Sequence, residues 1–280
     1  MPALFDVLID PYEAPGSRTP PRPLPAREVL RQLLDAGSFR SLDAAPDDAG
    51  ASPAYRAELA AAAAKSGTDE AVVTGAGTIS GRRVVVIVSE FRFLGGSVGV
   101  ATAHRIAAAV RYATRAGLPL VASTATGGTR MQEDTRAFVE MTAITRAIVA
   151  HRAAGLLYVT HLRHPTTGGV LASWGSLGQL TLAEPGALIG FIGPKVYERL
   201  AGEPFPPGIQ VAENLYGHGL VDAVLTTGQV REVLAFARVD GLVPSCSART
   251  GTLPRLTLPP SGWPGGECGS PGSLRCRLSR

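Results

Sequence analysis

Apolar residues repeat at helical spacing in two short segments near the start of the chain. In the segment 25–37 they fall three or four positions apart, a proline opens the first turn and Gly37 follows as a stop signal. The segment 53–67 is rich in alanine and is closed by Gly67. We therefore expect two short helices, preceded by an irregular, proline-rich start at 1–24.

From residue 69 onward, β-branched runs alternate with helical patterns. The runs 71–79 and 84–89 are separated by Ser-Gly-Arg, which predicts a hairpin. A strand that alternates with a helix at this rhythm predicts an α/β domain with largely parallel pairing. The later elements are expected at 98–115 (helix), 118–123 (strand), 133–154 (helix), 156–160 (strand), 168–177 (helix), 180–192 (a strand pair), 195–200 (helix), 211–217 and 220–225 (strand).

Two glycine pairs, Gly127-Gly128 and Gly168-Gly169, each lie between a predicted strand and a predicted helix. Such a turn can present free backbone N–H groups to an oxyanion, because no Cβ keeps the ligand away and no intrahelical acceptor uses the N–H. A glycine pair is also the default for a tight turn without function. The repetition favours chemistry that passes through an enolate.

Other motifs allow weaker hypotheses. Gly95-Gly96-Ser97-Val98-Gly99 matches the nucleophile elbow of serine hydrolases, although Ser97 is more simply a helix N-cap. His161 and His164 could form a metal pair, but zinc needs three or four ligands and no carboxylate or cysteine lies at ligand spacing around them. A loop rim is therefore the simpler interpretation. For Arg130 and Glu133, a structural role and substrate contact are equally open. No P-loop or dinucleotide-binding fingerprint is present in the sequence.

Composition narrows the class of protein. The chain has 280 residues, 45% hydrophobic and 18% charged, which suits one catalytic-size domain. Six of the 27 basic and two of the 23 acidic residues lie from Phe236 onward, so the net charge of +4 belongs to this tail. We therefore expect no nucleic-acid partner. The absence of a long apolar run or basic leader predicts a cytoplasmic protein with no membrane partner. Cys246, Cys268 and Cys276 form neither a zinc-binding nor a disulfide pattern.

The order of the motifs resembles the beta subunits of the acetyl-CoA carboxylase carboxyltransferase, in the crotonase superfamily. The resemblance covers about residues 33 to 225 and rests on five segments. They are LDAGSF at 34–39, FLGGSVG at 93–99, GGTRMQE at 127–133, PTTGGV at 165–170, and AEPGALIGF at 183–191 with GP at 193–194.

This resemblance implies an α/β, crotonase-like spiral of ββα repeats. The sequence patterns add the short N-terminal helices and a C-terminal tail that we expect to be disordered, because it is rich in Pro, Gly and Ser and has no helical or alternating period. We therefore expect domains at 1–66 (arm), 67–235 (carboxyltransferase) and 236–280 (Pro/Gly/Arg-rich tail). The implied reaction moves CO2 from carboxybiotin on a carrier protein to acetyl-CoA, which forms malonyl-CoA for fatty acid biosynthesis. No side-chain base is needed, because the freed ureido nitrogen takes the proton.

The resemblance also assigns residues and partners. Gly168 and Gly169 are the implied oxyanion N–H donors, and Gly127 and Gly128 shape the neighbouring pocket. The implied acyl-CoA contacts are Gly95, Gly96, Thr129 and Arg130. The implied partners are a carboxyltransferase alpha-type subunit, biotin carboxyl carrier protein and biotin carboxylase, in a hetero-oligomer.

Three departures from the family pattern matter. No four-cysteine ribbon precedes Cys246, so we expect no zinc. Thr129 stands where the family usually has alanine. The family's active site lies between a beta-type and an alpha-type half, and the sequence shows no alpha-type half. The tail resembles neither half, which is the pattern expected of the remnant of a truncated fusion. The alternatives are another biotin-dependent acyl-CoA carboxylase or malonyl-type decarboxylase subunit, or a catalytically incomplete CoA-binding assembly protein.

Overall fold

The computed structural model describes residues 20–47 and 50–236. Within these residues, eight strands form one mixed sheet in the order β1-β2-β3-β4-β5-β6-β8, and β7 pairs with β5. The pairs β1-β2 and β2-β3 are antiparallel, whereas β3, β4, β5, β6 and β8 run parallel. The strands are β1 Arg40–Ser41, β2 Val72–Ile79, β3 Arg82–Ser89, β4 Leu120–Thr126, β5 Tyr158–Thr167, β6 Leu180–Ala183, β7 Ile189–Gly190 and β8 Ala223–Val224.

Helices cover both faces of the sheet, because the buried strands are apolar on both sides. In β3, Val85 and Ile87 pack in one cluster with the helices Val100–Ala116 and Asp134–Ala153. Val84, Val86 and Val88 pack in another cluster with the helices Ala26–Leu33 and Thr227–Phe236. The helices are α1 Ala26–Leu33, α2 Pro53–Ser66, α3 Val100–Ala116, α4 Asp134–Ala153, α5 Pro194–Ala201, α6 Ala212–Gly217 and α7 Thr227–Phe236.

Elements with local signals are confirmed. Helix α2 begins after Ser52, whose side chain accepts a hydrogen bond from the N–H of Tyr55, and ends at Gly67 in the left-handed conformation. The β2-β3 hairpin turns at Ser80 and Gly81, both with positive φ. Helices α3 and α4 and strand β4 fall within a few residues of their predicted bounds.

The predicted helix at 168–177 is wrong. The chain forms two separate 3₁₀ turns, Gly168–Val170 and Trp174–Ser176. Ser173 between them has φ −133° and ψ −113°, and its hydroxyl donates to the Gly169 carbonyl. A Cβ on Gly175 would lie 2.8 Å from the Val170 carbonyl oxygen, so this glycine allows the second turn to fold back on the first.

Two further expectations are corrected by strand pairing. Strand β5 extends to Thr167, well beyond the predicted end at 160, because Thr166 and Thr167 pair with β7. Strands β6 and β7 do not pair with each other as predicted, since both run parallel to β5.

The N-terminal segment packs against the elements that follow it. Helix α1 contributes Ala26, Val29 and Leu33 to the core, against β3, β4 and α7. Strand β1 extends the sheet by pairing with β2. Of the predicted tail at 236–280, Phe236 is the last residue of α7, and the rest of the tail with its three cysteines lies outside the described residues. Among residues 20–47 and 50–236, no helix is both long and apolar enough to cross a bilayer.

Candidate active site

Three glycine turns meet at one edge of the sheet. Strands β4 and β5 are parallel neighbours, so the turns that follow Thr126 and Thr167 lie side by side. A Cβ on Gly168 would lie 3.1 Å from the Gly128 Cα, which shows how closely the two backbones approach. The third turn joins them through a 2.8 Å hydrogen bond from the Gly127 N–H to the Gly95 carbonyl.

Gly96 needs to be a glycine for a similar reason. Its φ is +63°, and a Cβ there would overlap the carbonyl oxygen of Ala125 at the end of β4. The structure therefore brings together all three sequence-predicted pairs, Gly95-Gly96, Gly127-Gly128 and Gly168-Gly169.

The backbone N–H groups of these turns differ in availability. The N–H of Gly128 donates to Thr126 Oγ1 at 2.9 Å, and the N–H of Gly168 donates to the Phe191 carbonyl at 3.1 Å. The Gly127 N–H bonds to Gly95 and the Gly96 N–H to the Phe93 carbonyl at 2.8 Å, so four of the six predicted glycines have internal acceptors. Among the described residues, the N–H groups of Gly95, Thr129 and Gly169 have none. Those of Thr129 and Gly169 belong to the second and third turns, where the two backbones touch.

Arg130 is not placed as an acyl-CoA contact. Its side chain is 1% exposed and forms an ion pair with Glu70 through both terminal nitrogens. The same guanidinium donates to the Ser97 carbonyl at 2.9 Å and to the hydroxyls of Thr102 and Tyr55. Its hydrogen-bonding capacity is taken up by the protein, so it fixes the glycine turns from behind.

Glu133 completes this buried network. One carboxylate oxygen accepts from the Val100 N–H at 2.6 Å, at the start of α3, and the other accepts from the Tyr55 hydroxyl. Burial alone would lower the pKa of Arg130, but the hydrogen bond and charge of Glu70 outweigh it and raise that pKa. Burial, together with the hydrogen bond to Glu133, raises the pKa of Tyr55.

The network explains Gly99, the last residue of the elbow-like motif. A Cβ at Gly99 would lie 2.8 Å from Arg130 Nη1 and would overlap a carboxylate oxygen of Glu133. Ser97 is not the predicted N-cap, since Gly99 takes that position before α3. The Ser97 hydroxyl instead accepts from Arg130 Nε at 3.3 Å, and no histidine of the described residues bonds to it. The motif is therefore a packing device in this fold.

The two histidines of the predicted loop rim lie within β5. His161 is fully buried, with Nε2 3.2 Å from the Leu225 carbonyl, and burial lowers its pKa to about 3. His164 Nδ1 accepts from the Leu188 N–H at 3.1 Å. No group of three or more metal-ligating side chains occurs in the part of the chain that the structure describes.

Sequence reasoning missed several residues that support the site. Glu70 and Tyr55 lie far from Arg130 along the chain, and neither carries a local motif. Phe191, whose carbonyl holds Gly168, was noted only as part of a resembling segment. Contacts of this kind arise from tertiary packing, and only an alignment of covarying positions could signal them in advance.

The parallel strands and the glycine turns at their carboxyl ends fit a crotonase-fold domain. The family model for the carboxyl transferase domain matches residues 23–221, and the chain belongs to this family. The matched segment contains all three glycine pairs.

Relatives with assigned names agree with this family. The chain is 58% identical over 207 residues to a probable biotin-dependent acyl-coenzyme A carboxylase beta3 subunit of Mycobacterium tuberculosis, covering 74% of this chain and 42% of that relative. It is 44% identical over 213 residues to an acetyl-coenzyme A carboxylase carboxyl transferase subunit beta of Desulforudis audaxviator, covering 75% and 78% of the two chains.

Solved structures share the fold. A chain of the Pseudomonas malonate decarboxylase MdcD-MdcE hetero-dimer matches with a TM-score of 0.58 and 29% identity, covering 76% of this chain and 84% of that one. The transcarboxylase 12S core matches with a TM-score of 0.60 at 23% identity, covering 75% and 40%.

Proposed function

We propose that this chain is the beta-type half of a biotin-dependent acyl-CoA carboxyltransferase, with acetyl-CoA as the acyl substrate. The observation that carries the proposal is the pair of backbone N–H groups, at Thr129 and Gly169, that lack internal acceptors where two glycine turns touch. Such preorganised donors stabilise the oxygen of a thioester enolate as negative charge develops on it.

The residues fit the cofactor that the family implies. Carboxybiotin, brought by a carrier protein, supplies CO2 and a ureido nitrogen that can accept the proton of the acyl-CoA methyl group. The carboxylates of the network behind the turns, Glu70 and Glu133, are committed to Arg130 and to the start of α3. The chain thus offers donors for an oxyanion and no evident side-chain base, which suits a base that arrives with the second substrate.

The geometry supports the following individual roles. Gly169, rather than Gly168, supplies the glycine N–H to the oxyanion, because the Gly168 N–H is held by Phe191. Gly127 and Gly128 hold the neighbouring wall, and Gly95 and Gly96 lie on the side where we place CoA. Arg130 acts as a positioning residue. Acetyl-CoA, as opposed to a longer acyl-CoA, is supported by the name of the Desulforudis relative.

Exposed apolar side chains beside the glycine turns support a partner surface that covers them. Met131, next to the second glycine turn, is 83% exposed, and Phe191, bonded to the third, is 62% exposed. The chain also spans only 42% of the length of its Mycobacterium relative. We propose that an alpha-type subunit covers these side chains, and that biotin carboxyl carrier protein and biotin carboxylase complete the complex, with no zinc in this chain.

The test is a Gly169→Val variant in the complex reconstituted with an alpha-type subunit and biotinylated carrier. A Cβ at Gly169 would meet Met141 and Thr129 at 3.5 and 3.6 Å, which are ordinary contacts, so the variant should fold and assemble. Loss of access to one oxyanion donor lowers kcat by ~10²–10³. The measurement is malonyl-CoA formation at saturating acetyl-CoA, with the wild-type chain alone expected to show little turnover.

Gly228→Val is the matched control, because Gly228 in α7 is exposed and has open space where a Cβ would lie. Ser97→Ala tests the hydrolase alternative, in which that substitution would be the damaging one. A Gly169→Val complex with near-normal kcat would refute the oxyanion assignment. Full turnover by the wild-type chain alone would refute the need for a second half.

A malonyl-type decarboxylase subunit is the second candidate, favoured by the match to the malonate decarboxylase hetero-dimer, of which 84% of the chain is covered. Both reactions use a stabilised enolate, so Gly169→Val does not separate them. Dependence of turnover on the biotinylated carrier does: loss of turnover without the carrier supports carboxyl transfer, and carrier-independent CO2 release from a malonyl thioester supports the decarboxylase.

A further inference from the structure

The side chain of Thr129 has no hydrogen-bonding role within the described protein. Its hydroxyl has no partner there, in contrast to Thr126 and Thr167 of the same turns, whose hydroxyls bond to backbone groups. Thr129 is half-buried, so its side chain is not sealed inside the core. A free hydroxyl at such a position is available as a donor to a ligand.

The position of this hydroxyl is well defined. Thr129 Oγ1 lies 3.6 Å from the point that a Cβ of Gly169 would occupy, and Met141 Cε lies 3.5 Å from the same point. The hydroxyl therefore borders the residue whose N–H is free.

The backbone of Thr129 is held on both sides. Val98 donates to the Gly128 carbonyl at 2.9 Å and accepts from the Arg130 N–H at 3.0 Å. With its backbone pinned in this way, a β-branched side chain has few rotamers. Little conformational entropy then remains to be lost when the hydroxyl engages a ligand, which is the condition for an effective preorganised donor.

We propose that the Thr129 hydroxyl donates a hydrogen bond to the thioester oxygen of the acyl-CoA, beside the N–H of Gly169. This rests on the function proposed above and adds a side-chain donor to it. The bond strengthens as the thioester becomes an enolate, because hydrogen bonds to a charged acceptor are stronger than those to a neutral one. Thr129 should therefore affect kcat more than substrate binding.

The test compares Thr129→Val, which keeps the shape and removes the hydroxyl, with Thr129→Ser, which keeps the hydroxyl and removes the methyl. Thr142→Val is the matched control, because Thr142 is exposed on α4 and its hydroxyl bonds only to the Val139 carbonyl. In the reconstituted complex, we expect Thr129→Val to lower kcat about tenfold and to raise KM by no more than about fivefold. Thr129→Ser should recover most of that loss.

A binding measurement makes the result independent of turnover. Acetyl-CoA and S-ethyl-CoA, a thioether without the carbonyl oxygen, are titrated by calorimetry into the same complexes. Thr129→Val should raise the Kd of acetyl-CoA about threefold to fivefold and should leave the Kd of S-ethyl-CoA unchanged. Thr129→Ser should bind acetyl-CoA with a Kd within about twofold of the wild-type value.

The outcomes separate the two proposals. If Thr129→Val weakens the binding of both ligands equally, or weakens the binding of neither, the hydroxyl assignment is overturned. Absence of acetyl-CoA binding in the wild-type complex overturns it as well. Selective weakening of acetyl-CoA in a complex that transfers no carboxyl group supports the hydroxyl contact and refutes the carboxyltransferase function instead.

Discussion

Two buried arginines, Arg130 and Arg163, are held in opposite ways. Arg130 is surrounded by charge, since Glu70 and Glu133 both lie within ion-pair distance. Arg163 is equally buried, but its guanidinium bonds to neutral acceptors, the hydroxyl of Ser123 at 2.8 Å and the carbonyls of Ser89 and Leu24 at 2.8 and 3.2 Å.

The pKa values reflect this difference. Burial lowers the pKa of Arg163 to about 10, and the more distant charges of Glu184 and Glu90 only partly compensate. The pKa of Arg130 is raised, because Glu70 outweighs the effect of burial. The charged network lies directly behind the glycine turns, and the neutral one joins the N-terminal segment to β4 and β5. Rigid positioning by charge is therefore concentrated at the candidate site.

The largest expected effect comes from removing each guanidinium. Arg130→Met leaves Glu70 buried without its counter-charge, which costs about 3–5 kcal/mol of folding free energy. Arg163→Met leaves only neutral acceptors unpaired and also removes a buried charge. We therefore expect it to lower the free energy of unfolding by about 1–3 kcal/mol. Urea unfolding at pH 7 measures both, and equal losses would contradict the contrast between the two networks.

A second prediction concerns pH and the neutral network. The pKa of buried His161 is lowered from 6.5 to about 3, so the unfolded chain binds a proton that the folded chain does not between these values. Stability from this residue is present above pH 6.5 and is lost as pH falls toward 3. Between pH 7 and pH 4.5 the loss amounts to about 2–3 kcal/mol.

The measurement is the free energy of unfolding at pH 7 and pH 4.5 for the wild type and His161→Gln. The variant should show a difference between the two pH values that is smaller by that amount. His218→Gln, at an exposed position, controls for the loss of one imidazole. An unchanged pH dependence in His161→Gln would show that another group governs acid unfolding.

The smallest effect is expected at the edge of the charged network. Tyr55→Phe removes the hydroxyl that joins α2 to Glu133 and Arg130, and leaves the central ion pair intact. We expect a loss of about 1–2 kcal/mol, since the acceptor is charged but the tyrosine is half-buried. Tyr197→Phe, which loses an exposed bond to Glu203, should show no measurable change in thermal unfolding.

Much of the fold could be predicted from local signals. Ser52 and Gly67 cap α2, and Ser80-Gly81 turns the hairpin, because each acts through its own backbone or its nearest neighbours. The meeting of two glycine turns could also be predicted, since both follow neighbouring parallel strands. Their third neighbour, Gly95-Gly96, was placed near the site by resemblance alone.

The finer organisation of the site could not be predicted in this way. Whether a glycine N–H is free depends on acceptors such as Gly95 and Phe191, which come from distant parts of the chain. Arg130 carries a charge typical of ligand binding, and its burial depends on Glu70, sixty residues away. The false helix after Gly168 has the same origin, because close packing of Gly175 on Val170 overrides helical spacing.

The packing of α1 against α7 also bears on how the chain folds during synthesis. Arg231 of α7 donates to the Leu33 carbonyl at 3.0 Å and pairs with Asp35 at 2.7 Å, across 198 and 196 residues. At about 5–20 residues per second, a ribosome takes roughly 10–40 s to make that stretch. For this interval the apolar face of α1 lacks its final partner. The nascent chain therefore exposes a hydrophobic helix to chaperones until its last described helix emerges.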